Sequence, residues 1–197
     1  MRKLTLSVSL ILFTPGAFAQ RAAAPASPTL PPLVGSLAGH PGWPAAQPQD
    51  VRSIAAIVDA LYDVISGPKG QERDWNRMRS LFLPDARLVP SRADRNAHRT
   101  DAVFLTLDGY IQRASPRMTA EGFFEHGIHN DVQQFGNIAH VWSTYESRHA
   151  AGDARPFDRG INSIQLLKSG IRYYIVEILW DSETPVSPIP QEYLPKH

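Results

Sequence analysis

The chain has 197 residues, no cysteine, 20 basic and 19 acidic residues, and a formal net charge of +1. Without cysteine there are no disulfides, thiolate nucleophiles, cysteine metal sites or lipidated cysteine anchors. With charges of both signs mixed along the chain, no basic stripe points to nucleic acid and no polybasic cluster points to a membrane surface.

Arg2 and Lys3 precede the apolar run Leu4 to Phe13, and Ala17-Phe18-Ala19 follows with the small-x-small pattern of a signal peptidase site. Residues 1–19 are therefore expected to be a signal peptide cleaved before Gln20, giving a periplasmic or secreted protein. The run is too short to span a bilayer, which takes about 20 residues, and no later segment qualifies. No membrane insertion is expected after cleavage. Residues 20–49, rich in Ala and Pro, lack any apolar period and read as a disordered tether in which Trp43 is solvated.

Asp50 is placed to cap "VRSIAAIVDALYDVISG", whose Ile54, Ile57, Val58, Leu61 and Ile65 form one helical stripe ended by Gly67-Pro68. Trp75, Met78, Leu81 and Phe82 mark a second helix stopped by Pro84. "DARLVP" and "AVFLTL" read as short strands around a polar loop, and "DGYIQRASPRM" as a short helix begun by Asp108.

Beyond Phe123 the apolar period becomes two. Strands are expected near 122–135, 137–149, 159–168 and 171–181, with tight turns at Gly136-Asn137 and Ser169-Gly170. Helices first and long antiparallel strands afterwards define an α+β domain over residues 50–184, with helices on one sheet face and a C-terminal tail at 185–197. Parity puts Gly160, Asn162, Ile164 and Leu166 toward the helices. It favours Ala139, Val141, Ser143 and Tyr145 inward, leaving His140 and Trp142 outside. The last strand is apolar on both faces, as a central strand or one covered by a second subunit would be.

With "ALYDVISG", "DWNRMRSLFLPDARLVP", "NIAHVWSTYESRH" and the final hairpin in place, residues 50–182 resemble the nuclear transport factor 2-like superfamily. That superfamily includes SnoaL-like proteins, ketosteroid isomerase and scytalone dehydratase. The resemblance implies a curved sheet wrapped around helices into a cone, an apolar internal pocket for a small organic ligand, and a homodimer through the outer sheet face. It also implies that Tyr62 and Asn162 stand where related folds hold a ligand oxygen, and that Tyr62-Asp63 and Asp74-Trp75 match the start of the dehydratase. The isomerase's general base would fall near Pro90, where "RLVPS" offers no carboxylate. Glu125 and Ser147 fall near the dehydratase's two histidines.

A phenol and an amide aimed at one point would stabilise developing negative charge. The alternative is that Asn162 bonds a backbone group or Tyr62 itself and completes a polar core. Asp63 and Glu125 are the candidate acid/base groups, since an apolar cavity raises a carboxylate pKa. Tyr145 and Trp180 are read as substrate-binding walls. His126 and His129 would share a metal only across a bulge, so no metal is expected, and no cofactor fingerprint appears. Arg87, Arg92, Arg95 and Arg99 surround a loop at the expected pocket mouth, and Trp142 would serve a dimer contact. Two readings follow: a small-molecule-binding domain acting as a cofactor-free lyase or isomerase, or a non-catalytic binding or interaction domain on the same fold.

Overall fold

The computed structural model describes residues 37–94 and 99–196. The expected signal peptide, the first part of the expected tether and Arg95 lie outside them.

The folded part begins before Asp50. The Trp43 indole donates to the carbonyls of Arg79 (3.0 Å) and Phe82 (3.1 Å) and packs against the core, so it is docked, not solvated. Asp50 sits inside the short helix α1 (Pro48–Val51) and caps nothing. The cap of α2 (Ile54–Ile65) is Ser53, whose Oγ accepts from Ala56 N at 3.1 Å. A serine is free for this because Asp50 is held by Arg77. Of the predicted stripe of α2, Ile57, Val58, Leu61 and Ile65 are buried and Ile54 is half-buried, with Tyr62 and Val64 added to the buried set.

Beyond α2 the buried Arg73 donates to the carbonyls of Ile65 (2.9 Å), Gly67 (2.7 Å) and Met118 (3.3 Å). It has no carboxylate partner among the described residues, and burial lowers its pKa. A cation placed at these carbonyls, which end two helices, complements their dipoles.

Asp74 caps α3 (Trp75–Leu81) by accepting from Arg77 N at 2.8 Å. The chain then passes directly into β1 (Phe82–Asp94), so Pro84 is a strand residue rather than the helix stop. It falls where the ladder with the neighbouring strand shifts register between Phe82 and Arg87, a place that tolerates a missing N–H. β1 pairs with β2 (Arg99–Ala102) within the expected polar loop, and "AVFLTL" contributes the last residue of β2 and the two-residue β3 (Leu105–Thr106). Helix α4 (Leu107–Glu121) is capped by Thr106, not Asp108, and continues past Pro116 to Gly122.

The long strands fall close to expectation: β4 (Phe124–Phe135), β5 (Ile138–Arg148), β6 (Asp158–Ser169) and β7 (Arg172–Ser182). Gly136 and Gly170 take positive φ in the two predicted turns. Strand order is β2-β1-β7-β6-β5-β4, with β3 on β1; only β1 and β7 pair in parallel. β7 is therefore central. A register shift beside Val176 lets Tyr173 and Ile175 face the core and then Ile178, leaving Val176 and Leu179 exposed. The inward residues of β5 and β6 are those parity selects.

On the outer face the last residues fold back over β5. Thr144 Oγ1 donates to Tyr193 O at 2.7 Å, and the Trp142 and Tyr193 rings lie 5.9 Å apart. Trp142 is thus half-covered by its own chain.

Candidate functional site

Four elements bring one polar chain into the core. Tyr62 from α2 and Ser143 from β5 share a hydrogen bond of 2.6 Å. Asn162 from β6 donates its Nδ2 to the Tyr62 hydroxyl at 3.2 Å and to Glu125 Oε1 on β4 at 3.4 Å. The Tyr62 oxygen thus accepts from Asn162 while its hydroxyl shares a hydrogen bond with Ser143. Ser147 on β5 donates to Glu125 Oε2 at 2.7 Å. Gly127 makes the arrangement possible: a Cβ there would stand 3.1 Å from the Tyr62 ring and 3.2 Å from Ser143 Oγ. Ser66, just past α2, donates to Tyr62 O (2.7 Å) and accepts from Glu125 N (3.0 Å), fixing helix and strand to each other at the site.

A second polar group stands nearby. Tyr145 on β5 and Ser182 on β7 donate to Asp158 Oδ2 at 3.2 and 3.1 Å. Here Gly160 leaves the space, since a Cβ would overlap the Asp181 carbonyl and lie 2.6 Å from the Tyr145 hydroxyl.

Both groups border a cavity of about 140 Å3 lined by Glu125, Asp158, Asn162, Tyr145, Tyr110 and Trp180, and closed by apolar side chains of α2, α3, β1 and β7. A cavity of about 360 Å3 adjoins it and shares Tyr110, Phe123, Asp158 and Trp180; Arg113, Arg117, Glu121 and His149 stand around it. The Tyr110 hydroxyl has no hydrogen-bond partner among the described residues and is free to donate to a ligand.

Desolvation dominates the electrostatics. It pushes the Glu125 carboxyl up to about 7, with the charge of Asp158 adding to the rise and the bonds from Ser147 and Asn162 opposing it. Burial, with Glu125 second, raises the Tyr62 and Tyr110 phenols. Tyr145 is raised as well, chiefly by burial. Near neutral pH the phenols are donors and Glu125 is divided between acid and base.

The sequence-derived candidates separate accordingly. Glu125, Asn162, Tyr145 and Trp180 border the cavity, and Tyr62 stands one step behind its wall. The open question over Asn162 resolves toward a bond with Tyr62: its amide nitrogen serves Tyr62 and Glu125, so the two do not converge on a vacant point as paired donors. Asp63 is a correction. Next to an inward Tyr62 on a helix it must turn outward, and it is 68% exposed and paired with Arg77 at 2.5 Å.

His126 and His129 do share a face, because the register shifts between Gly127 and His129 and sets both on the outer side. Among the described residues no three metal-ligating side chains converge. Arg87 donates to the carbonyls of Asp85 (2.6 Å) and Ala86 (3.1 Å). Tyr110 and Asp158 escaped the sequence reading, though both had a signal. Tyr110 follows Leu107 by three on α4, and Asp158 continues the inward parity of Gly160 and Asn162 one step earlier.

An α+β domain whose open mixed sheet packs helices on one face and encloses a small cavity is now defined. It has the nuclear transport factor 2-like cone fold. A nuclear transport factor 2-like protein of unknown function from Pseudomonas putida KT2440 superimposes with a TM-score of 0.51 at 9% identity, covering 72% of this chain and 94% of its own. A protein of unknown function with a cystatin-like fold from Nostoc punctiforme PCC 73102 superimposes with a TM-score of 0.50 at 11% identity, covering 70% and 92%. At such identities the likeness is one of fold. No protein-family model matches the sequence, and no curated protein matches it.

Proposed function

We propose that the cavity binds a small oxygen-bearing organic molecule and that Glu125 moves a proton on it, as a cofactor-free lyase or isomerase would. The observation that carries this reading is a carboxyl bordering a cavity of mixed polar and apolar lining, oriented by Ser147 and Asn162, with its pKa near neutrality. Tyr110 is the hydroxyl free to meet the ligand's oxygen. Asn162 and Tyr62 act behind Glu125, holding its orientation. The apolar run Leu4 to Phe13 and Ala17-Phe18-Ala19 support an exported form, and the exposed Val176 and Leu179 on the outer face of β7 support a homodimer through that face.

The test is exchange of solvent deuterium into the carbon beside the carbonyl of small cyclic enones and ketones, followed by proton NMR. The wild-type chain should catalyse exchange at pH 7 and Glu125→Gln should not. Equal rates in both would refute the proton-transfer role. The other reading, a binding domain without catalysis, draws on the missing carboxylate near Pro90. Under it, compounds would bind without exchange.

A further inference from the structure

We propose that the ligand of this cavity carries a positive charge: an organic cation of a few heavy atoms, such as a substituted ammonium, seated between Asp158 and an aromatic corner. The inference rests on the cavity being a small-molecule site and adds the charge of what it holds.

Three observations converge. The cavity lining contains two carboxylates, Glu125 and Asp158, and no Lys, Arg or His. Asp158 accepts both of its side-chain bonds on Oδ2, from Tyr145 and Ser182, so its Oδ1 has no side-chain partner among the described residues. Opposite polarity is thus prepared on a rigid carboxylate, held by two donors and spared a counter-ion. The third observation is aromatic. Tyr110 and Trp180 meet at right angles, with ring centroids 6.2 Å apart and an interplanar angle of 88°, and Phe123 and Tyr145 add two more rings to the lining.

The carboxylates and rings suit a cation, and the Tyr110 hydroxyl, a donor in the lining, serves an oxygen on the same molecule. Ring faces are electron-rich and attract an ammonium, most strongly when both are removed from water. An uncompensated carboxylate in a confined space favours a ligand that brings the missing charge. A neutral ligand could donate to Asp158 Oδ1 but would leave the charge of the carboxylate uncompensated. At about 30 Å3 per water, the space holds roughly five waters, which limits the charged head to a compact group. Glu125 and Tyr110 remain beside it for a polar group on the same molecule. The adjoining cavity, where Arg113 has no partner among the described residues, is where a longer substituent would emerge.

Three probes of one shape and different charge test this: choline, its neutral carbon isostere 3,3-dimethylbutan-1-ol, and anionic 3,3-dimethylbutanoate, each titrated into the purified chain by calorimetry at pH 8. Choline should bind at least tenfold more tightly than the neutral isostere, and the anion should not bind. Asp158→Asn should remove most of that tenfold preference while leaving the neutral isostere's affinity within about twofold. If Asp158→Asn fails to fold, Trp180→Leu reads the same preference through the aromatic corner. Equal binding of choline and the neutral isostere would overturn the cation inference while leaving the cavity a small-molecule site. Preference for the anion, or no binding of choline, would overturn it too, and the deuterium exchange with neutral ketones would then decide the site reading on its own.

Discussion

Asn162 and Tyr62 are 100 residues apart and share a hydrogen bond of 3.2 Å, and the same amide nitrogen stands 3.4 Å from Glu125. One side chain thus couples a helix to a strand and steadies the only carboxyl on β4 that borders the cavity. Replacing it with leucine, Asn162→Leu, keeps bulk and removes both bonds. Tyr62 retains Ser143, so the cost should be about 1–3 kcal/mol, read by thermal unfolding. The Asn162 bond favours the charged form of Glu125, so its loss should move the Glu125 titration upward, measurable by carboxyl NMR. A mutant with wild-type stability and an unmoved Glu125 would show that Asn162 positions nothing.

Most of the sheet is legible in the sequence because the physics is local. Period two, a Gly at each turn and an uncharged face are enough to place β5 and β6 and to turn Asn162 inward. What misleads is competition between neighbours. Asp50 is a good capping residue by type, but Arg77, 27 positions later, engages it, and Ser53 takes the helix end instead. Trp43 sits in a stretch whose composition reads as disordered, yet one indole can dock alone when its N–H reaches two backbone carbonyls and its ring reaches the core. Asp63 could be excluded from the site by helical geometry once Tyr62 was assigned inward. Which partner the Asn162 amide chose was not legible, since Tyr62 and Glu125 come from a helix and a strand 100 and 37 residues away.

The two aspartates on Arg77 should differ in weight. Asp50 is buried and bonded at 2.8 and 3.1 Å, whereas Asp63 is mostly exposed. Asp63→Asn should cost under about 1 kcal/mol, as for exposed pairs. Asp50→Asn should cost more, about 1.5–3 kcal/mol, because a buried bond to a charged group is lost. Chemical denaturation of the two variants gives the order directly, and neither should alter ligand binding.

Gly160 is under a stricter demand than its strand position suggests. An added methyl would overlap the Asp181 carbonyl and press on the Tyr145 hydroxyl and ring. Gly160→Ala should therefore destabilise by about 2 kcal/mol or more and displace Tyr145 from Asp158. Near-ultraviolet circular dichroism reports the tyrosine shift. A variant with unchanged spectrum and stability would place Tyr145 elsewhere.

Docking of Trp43 makes a prediction about chain length. Removing the ring takes the indole N–H from the Arg79 and Phe82 carbonyls, leaving Arg79 O with the Phe82 amide alone, and uncovers part of the core. Trp43→Ala should cost about 3 kcal/mol, and a chain beginning at residue 46 should lose as much as the point variant does. If trimming to residue 46 left the melting temperature unchanged, the segment before Asp50 would be a solvated tether after all.

Glu125 should govern how stability varies with pH. An acid whose pKa rises on folding keeps its proton longer in the native state than in the unfolded chain. Here the shift is from 4.5 to about 7, so between those values the native state binds more protons and stability falls as pH rises. The full stabilising effect of the neutral carboxyl is present below pH 4.5 and gone above 7. A displacement of this size corresponds to about 3 kcal/mol across the window. Other carboxylates titrate across the same acid range, so the comparison must be differential. In Glu125→Gln the side chain is neutral throughout, with its oxygen able to accept from Ser147. Subtracting the stability of the variant from that of the wild type at each pH should give a curve descending from pH 4.5 to 7 and level beyond. A flat difference would mean that Glu125 titrates like an exposed carboxylate, and would remove the proton-transfer reading with it.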